Sequence, residues 1–359
     1  MRLPIALVCP AIALLPVFAV NQPVAADGPY KVVRTVKVGG AGGWDYVFAD
    51  SDGRRLYIPR TGGRSGGGRV TVFDLDTLKA VGDIPDTNGV HGVAVDPKSH
   101  HGFSSSKPVV MFDTRSLASV KTVPVDGNPD GILFDAFSGR VFVLSHRAPN
   151  ATVLNAADGA VVGTIDLGGA PEQAVSDGKG HVFVDIEDKD KVAVVDSRTL
   201  KVTGQYDLGG RGGGPAGLAM DVKNHVLFVF CHEPHTAVIL DADDGKILAT
   251  LPIGNGVDAA EFNPVTGEAF SSQRDGTLTV IKENGPDRFE VEQNVQTKQG
   301  ARTSTLDGKT GRIFLVTADQ AAPSDQPTPD QAQGRGGRGG GRGGRMVPDS
   351  FTILVVARE

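Results

Sequence analysis

The sequence predicts an all-β fold, a seven-bladed β-propeller built from four-stranded antiparallel blades. Three observations lead to this prediction: a sevenfold repeat, four short β-rich runs in a complete repeat, and a last repeat that lacks one run. Repeats of roughly 40–45 residues that each hold four strands are typical of propeller blades. No stretch of useful length shows the apolar period of a helix.

The repeat is marked by an aspartate or asparagine that ends an apolar run and precedes a turn. After each marker comes a β-rich run such as "RLYIP" or "VLFVF", then a third run such as "RVTVFD" and a fourth such as "AVGDI". Short runs of this composition between turn residues predict antiparallel strands. The markers, which lie 39 to 46 residues apart, are Asp50, Asp96, Asp135, Asp177, Asp221, Asn263 and Asp307.

The last repeat is incomplete, and this predicts how the ring closes. Its runs are "ARTSTLD", "RIFLVTA" and, after a long insertion, "SFTILVV" at 350–356. The run "KVVRTVKV" at 31–38 precedes the first marker and belongs to no other repeat. We therefore predict that the N-terminal strand completes the last blade and leaves no open edge between the first and last blades.

The N-terminal segment predicts export. It contains one arginine, an apolar run and small residues up to Ala26, which is the pattern of a secretory signal peptide. We expect cleavage after about Ala26, a single propeller domain over 27–359 and a periplasmic or secreted protein. Pro10, Pro16 and the short apolar run argue against a retained membrane helix, and no other segment is long and apolar enough to span a membrane.

Charge and cysteine content narrow the range of partners. The formal net charge of −6 gives no general attraction to nucleic acid or to anionic membranes. Beyond the predicted signal peptide, Cys231 is the one cysteine, so we expect no disulfide. It lies in "VFCHEPH", where we expect Cys231 to be a buried apolar residue rather than a nucleophile. We expect the protein to be a monomer.

Ionisable residues recur at one level of the innermost strands. Five residues before each marker stand Asp45, His91, Asp130, Glu172, Ala216, Asp258 and Arg302. Six of these seven are ionisable, whereas the neighbouring runs "GVAV" and "GLAM" are small and apolar. Since the first strand of each blade lines the channel, this pattern predicts a ligand site at the channel mouth. The alternative is a water-filled mouth whose polar residues are solvated separately.

The ends of the second strands predict a metal site above these ionisable residues. Blades three, four and five contribute His146, Glu187 and His232, which would lie over Asp130 and Glu172. Two histidines and a carboxylate suit a divalent ion such as zinc, copper, iron or manganese. The alternative is three unrelated polar strand ends in solvent. The full set of aligned residues is Thr61, Lys107, His146, Glu187, His232, Arg274 and Ala318.

Two further features have alternative interpretations. Trp44 adjoins Asp45, so it either stacks on a ligand or packs between blades one and two. Gly/Arg-rich stretches occur at 62–69, 209–214 and 333–345, the last within an insertion at about 320–348 whose composition predicts disorder. Such runs resemble nucleic-acid-binding segments, but no aromatic residues are interleaved for stacking. We expect a flexible skirt on the mouth face and no nucleic-acid partner.

The repeat "GVHGVAVDPKSHHGF" and its copies resemble the YVTN-repeat family of bacterial β-propellers, the YncE-like group. The resemblance implies the propeller fold. Related propellers include extracytoplasmic binding proteins, lactonase-like enzymes, and domains of nitrous oxide reductase and amine dehydrogenases. This sequence carries no motif that matches their copper, quinone or haem sites, and the CxxCH of haem attachment is absent.

Three functional hypotheses follow. The first is an exported binding protein that takes a small molecule or a metal ion at the channel mouth. The second is a metal-dependent hydrolase or lactonase, in which the carboxylates hold a divalent ion that activates water. The third is a binder of polymers or nucleic acid through the Gly/Arg-rich loops.

Overall fold

The computed structural model describes residues 28–62, 67–148, 150–321 and 346–359. These residues form seven four-stranded antiparallel sheets arranged as a seven-bladed β-propeller, which confirms the predicted fold class. Within the described ranges the one helical element is a three-residue 3₁₀ turn, Glu187–Lys189. The predicted signal peptide and most of the insertion at about 320–348 lie outside the described residues.

The first four blades follow the repeat order, and in each of them the first strand is innermost. Blade one contains β2 (Phe48–Asp50), β3 (Arg55–Arg60), β4 (Arg69–Asp74) and β5 (Ala80–Ile84). Blade two contains β6 (Val93–Asp96), β7 (His101–Ser104), β8 (Val109–Asp113) and β9 (Ser119–Val123). Blade three contains β10 (Pro129–Asp135), β11 (Arg140–Ser145), β12 (Ala151–Asn155) and β13 (Val161–Ile165). Blade four contains β14 (Pro171–Ser176), β15 (His181–Ile186), β16 (Lys191–Asp196) and β17 (Lys201–Asp207).

The last three blades keep the same order, apart from the outermost strand of blade seven. Blade five contains β18 (Gly213–Asp221), β19 (Val226–Glu233), β20 (Thr236–Asp241) and β21 (Ile247–Pro252). Blade six contains β22 (Val257–Asn263), β23 (Glu268–Gln273), β24 (Thr277–Glu283) and β25 (Phe289–Gln296). Blade seven contains β26 (Ser304–Asp307), β27 (Arg312–Thr317) and β28 (Thr352–Arg358), and β1 (Tyr30–Lys37) is its fourth strand.

The N-terminal strand closes the ring as predicted. β1 pairs antiparallel with β28, with Tyr30 opposite Arg358 and Lys37 opposite Thr352. The same strand is held to blade six, because Gln293 accepts a hydrogen bond from the Tyr30 amide at 2.9 Å and donates one to the Tyr30 carbonyl at 2.8 Å. The Tyr30 hydroxyl also donates to the buried carboxylate of Glu268.

The repeated marker has a local structural cause. Each marker side chain turns back and accepts hydrogen bonds from the turn that follows its strand, as Asp50 does from the amides of Asp52 at 3.1 Å and Gly53 at 2.8 Å. Asn263 makes the equivalent bond with the Val265 amide at 3.0 Å. Asp and Asn side chains are suited to such turns because a short side chain places its oxygen over these amides.

The core lies between the blades. Each of the seven clusters of buried apolar residues draws on two neighbouring blades, so a blade buries its faces only by stacking on its neighbours. Cys231, which is fully buried, belongs to the cluster between blades four and five. Burial raises the pKa of its thiol far above the ordinary value, and Cys231 packs as an apolar residue in this cluster.

Candidate metal and ligand site at the channel mouth

The seven residues that stand five positions before the markers lie at equivalent places around one end of the channel. Asp130, Glu172, Ala216 and Asp258 lie near the starts of the inner strands β10, β14, β18 and β22. The other three, Asp45, His91 and Arg302, lie just before β2, β6 and β26. Ala216 is buried and adds no polar group, so six ionisable side chains share this end of the channel. We call these six residues the ionisable ring.

One half of the ring is organised around Arg302. Its guanidinium is in direct contact with the Asp258 carboxylate, and its Nη2 lies 3.8 Å from Oδ1 of Asp45. The other oxygen of Asp45, Oδ2, lies 2.7 Å from Nδ1 of His91. Arg302 therefore supplies the positive charge for two neighbouring carboxylates, and Asp45 links that pair to the next part of the ring.

The other half is organised around Asp130, whose two oxygens face two different histidines. Oδ1 lies 3.4 Å from Nδ1 of His91, and Oδ2 lies 3.3 Å from Nε2 of His146. The same His146 nitrogen lies 2.9 Å from Oε1 of Glu172. His146 directly follows β11, so the second strand of blade three places it over the inner strands of blades three and four.

Two residues that the sequence analysis did not single out extend across the channel. The Tyr46 hydroxyl donates a hydrogen bond of 2.8 Å to Oε2 of Glu172. Oε1 of Gln173 accepts bonds of 3.1 Å from the amides of Leu218 and Ala260, in blades five and six. Both residues stand four positions before a marker, where the set is Tyr46, Gly92, Gly131, Gln173, Gly217, Ala259 and Thr303. Two long polar side chains in a register of mostly small residues were the signal that could have revealed them.

The electrostatics of the ring favour positively charged histidines. The hydrogen bond with Glu172, with the charges of Asp130 and Glu187, raises the pKa of His146 to about 9. Burial opposes charge on His91, but its bond to Asp45 and the charge of Asp130 outweigh burial and raise its pKa. When protonated, these two histidines place their positive charges where another cation would lie among the carboxylates.

The carboxylic acids of the ring respond mainly to burial. Burial raises the pKa of Asp130 to about 6, although both histidines oppose the shift. Burial also raises the pKa of Asp258 to about 7, with Arg302 acting in the opposite direction. Each of these acids therefore depends on a neighbouring cation to remain ionised near neutral pH.

Two groups of three ligand atoms within the described residues are close enough to hold a metal ion. One is Asp45, His91 and Asp130, and the other is Asp130, His146 and Glu172; in each group the ligand atoms lie within 4.8 Å of one another. Asp130 belongs to both groups. Imidazole nitrogens with carboxylate oxygens form a donor set that fits zinc, manganese or iron(II), so the residues present fit a divalent ion.

The residues predicted for the metal site from the ends of the second strands are not all brought together. His146 joins Asp130 and Glu172, whereas Glu187 and His232 belong to neither group of ligand atoms. Glu187 begins the 3₁₀ turn after β15, and its pKa is raised by burial and by the charge of Glu172. Burial lowers the pKa of His232, with Arg274 acting in the same direction.

Trp44 packs between blades one and seven rather than between blades one and two. Its ring meets Phe351 edge-on at 5.3 Å between centroids, and it lies against the buried cluster that these two blades share. Its backbone carbonyl accepts a bond of 3.3 Å from Nη2 of Arg302. Trp44 therefore contacts the ring through its backbone, while its side chain packs against the core.

The connections that contain the three Gly/Arg-rich stretches start and end at described strands on the mouth face. The stretch 209–214 joins β17 to β18, and the described part of 62–69 joins β3 to β4. The insertion that contains 333–345 joins β27 to β28, and its residues 322–345 lie outside the described residues. By strand direction, all three connections leave the same end of the ring as the ionisable residues.

Comparisons with known proteins support the fold and nothing finer. No family model matches the chain, and no curated protein matches it. A chain in the structure described as "Crystal Structure of Mitotic Checkpoint Complex" is similar with a TM-score of 0.69 and 11% identity, covering 86% of this chain and 96% of that one. A chain described as "Structure of U3-55K" has a TM-score of 0.69 and 12% identity, covering 93% and 99%.

These similarities show the propeller fold alone, and this fold does not by itself indicate a function. Identities of this size do not indicate a shared activity, and 1598 solved chains resemble this one. Across the ranges that the structure describes, no helix has the length and apolar character to cross a bilayer.

Proposed function

We propose that this protein is an exported binding protein whose channel mouth holds a divalent metal ion on Asp130, His146 and Glu172. The observation that carries the proposal is the convergence of these three side chains, with the His146 nitrogen 2.9 Å from Glu172 and 3.3 Å from Asp130. The predicted signal peptide supports export. The repeats "GVHGVAVDPKSHHGF" and their copies support membership of the YVTN-repeat propellers.

The distribution of charge selects this half of the ring for the ion. Arg302 already compensates Asp258 and lies near Asp45, so that half of the ring contains its own cation. Around Asp130 and Glu172 the compensating charges are protons on histidines. A divalent ion replaces such a proton and gains both carboxylates and the imidazole nitrogen as ligands.

Thermal unfolding of chelator-treated protein tests this proposal. We expect a divalent ion from a set of Zn²⁺, Mn²⁺, Cu²⁺, Ca²⁺ and Mg²⁺ to raise the melting temperature of the wild type, because the folded state alone contains the site. Without metal, the double variant Asp130→Asn with Glu172→Gln should melt no higher than the wild type, because it loses the ion pairs that Asp130 and Glu172 make with His91 and His146. It should gain no stability when the ion is added.

A matched control distinguishes loss of the site from a general change of charge. Asp126→Asn with Glu290→Gln makes the same two chemical changes at exposed positions. This control should respond to the ion as the wild type does. If no ion in the set shifts the melting of the wild type, or if the double variant responds equally, the metal site is refuted.

A further inference from the structure

The central channel contains a cavity of about 490 Å³ below the ring. Its lining includes Tyr46, Glu172 and Gln173 but none of the other ionisable ring residues. The Tyr46–Glu172 hydrogen bond and the three bonds of Gln173, which include one of 3.0 Å from Nε2 to the Ala260 carbonyl, therefore form the roof of the cavity. The lining also reaches Val222, directly after the marker Asp221, so the cavity extends towards the opposite face.

Glu261 is the one acidic residue at its level of the channel wall. It stands two positions before the marker of blade six, on β22, and lines the cavity. Within the described chain no hydrogen-bond or ion-pair partner is found for its carboxyl group, and burial raises its pKa to about 8. The residues at this position in the seven blades are Phe48, Ala94, Leu133, Val175, Ala219, Glu261 and Thr305.

The charge of the lining defines the class of ligand. No lysine, arginine or histidine contributes to the wall, and its titratable groups are Tyr46, Glu172 and Glu261. Glu172 already accepts from Tyr46 and pairs with His146, so Glu261 is the carboxyl group without a partner. The rest of the wall is mainly valine, leucine, alanine and phenylalanine, with a few hydroxyl groups such as those of Ser304 and Thr305.

We propose that this cavity binds a small organic cation, a primary ammonium group on a short aliphatic body, with the ammonium group on Glu261. The volume lies within the roughly 300–1,000 Å³ usual for small-molecule sites. The apolar side chains of the wall cover the aliphatic body, and the ammonium group gives the half-buried Glu261 carboxylate a charged hydrogen-bond partner. The ammonium position differs from the proposed metal position, because the hydrogen bonds of Tyr46 and Gln173 lie between Glu261 and the histidines; Glu172 is the one residue that contributes to both sites.

Binding of the ammonium group is coupled to loss of a proton. The Glu261 carboxyl group holds a proton near neutral pH in the empty cavity, whereas the ammonium group favours the ionised carboxylate. Glu172 and Tyr46 are the other titratable groups on the wall, and each is already engaged in the roof. Affinity should therefore rise as the pH rises towards about 8, with a proton released to the buffer on binding.

Isothermal titration calorimetry with butylammonium chloride on the intact protein tests the proposal. The comparison variants are Glu261→Gln, which keeps the shape of the side chain but removes its charge, and Glu290→Gln, an exposed change in the same blade. We expect binding to the wild type and to Glu290→Gln, and at least tenfold weaker binding to Glu261→Gln. 1-Butanol and butyrate should bind the wild type more weakly than butylammonium. Titration of the wild type in two buffers of different ionisation enthalpy should show proton release.

Three results would overturn the proposal. They are no heat of binding with wild type, equal affinity of Glu261→Gln, and equal affinity for 1-butanol. A His146→Gln variant keeps these outcomes separate from those of the metal proposal, because it changes the ring but not the cavity wall. It should bind butylammonium as the wild type does, and loss of binding in this variant would also contradict a separate site.

Discussion

The hydroxyl group of Tyr46 in blade one donates a hydrogen bond of 2.8 Å to Glu172 in blade four. One oxygen of Glu172 is thus held by a residue from the far side of the ring, while the other lies 2.9 Å from His146. The bond crosses the channel, fixes the orientation of a proposed metal ligand, and separates the ring from the cavity below it. Burial raises the pKa of Tyr46 well above its ordinary value, with the charge of Glu172 as the next cause, so the hydroxyl group stays protonated and remains a donor.

The first prediction concerns this hydrogen bond. Tyr46→Phe should weaken metal binding by roughly 10-fold or more, because loss of a partner that orients a ligand typically costs that much affinity. Competition with a chromogenic chelator measures the change. Tyr206→Phe is the matched control, since it removes a tyrosine hydrogen bond of 2.9 Å to the Ala242 carbonyl, remote from the ring. Equal affinity of Tyr46→Phe and wild type would show that Tyr46 does not orient a metal ligand.

The second prediction concerns the pH dependence of metal binding. The metal ion must displace the proton from His146, whose pKa is raised to about 9 chiefly by the hydrogen bond with Glu172. Apparent affinity should therefore increase as the pH rises from about 6 and level off near 9. Chelator competition at several pH values gives the curve. In His146→Gln both the affinity and this slope should fall, and an unchanged slope would exclude His146 as a ligand.

The third prediction concerns the stability of the empty protein. Burial raises the pKa of Glu261 to about 8, so the folded chain keeps a proton that the unfolded chain releases above about 4.5. The free energy of unfolding should therefore fall as the pH rises between these two values. The free energy of unfolding of Glu261→Gln, taken relative to wild type, should therefore increase by on the order of 3 kcal/mol between pH 4.5 and pH 8. This figure is smaller than the full pKa difference implies, because water in the cavity screens the charge. Urea unfolding at both pH values measures it, and a difference that does not vary with pH would contradict the burial of this acid.

The fourth prediction concerns ring closure. Tyr30 is buried against Phe270, with ring centroids 5.2 Å apart, and its hydroxyl group meets Glu268. Tyr30→Ala should lower the free energy of unfolding by about 3–5 kcal/mol, as is usual for a buried aromatic side chain. Tyr30→Phe should cost about 1–2 kcal/mol, because it removes one hydrogen bond to a buried carboxylate.

An exposed residue on the same strand provides the control for closure. Lys31 pairs with Glu359 at 2.7 Å on the surface, so Lys31→Ala should change stability by less than about 1 kcal/mol. Urea unfolding followed by circular dichroism measures all three variants. Equal stability of Tyr30→Ala and Lys31→Ala would contradict the contribution of β1 to the closed ring.

The fold could be predicted almost completely from the sequence because its signals are local and repeated. Each marker is needed by the turn that follows it, so the turn at Asp50 and the turn at Asn263 show the same pattern. The closing strand could be identified because the last repeat lacked its fourth strand and the run at 31–38 belonged to no other repeat. The ring register followed from the same counting, since equivalent positions of equivalent strands lie at one level of the channel.

The contacts among the residues of the ionisable ring were decided by the tertiary structure. Spacing places Asp130 and His146 at the mouth, but it does not state that the two oxygens of Asp130 face different histidines. Nor does it state that Tyr46 reaches blade four, or that Trp44 packs towards blade seven. These contacts join residues far apart in the chain, so they depend on side-chain rotamers and on the width of the closed propeller. The repeat thus determined the level at which each residue stands, and the closed ring determined which residues meet, because only closure fixes the distances across the channel.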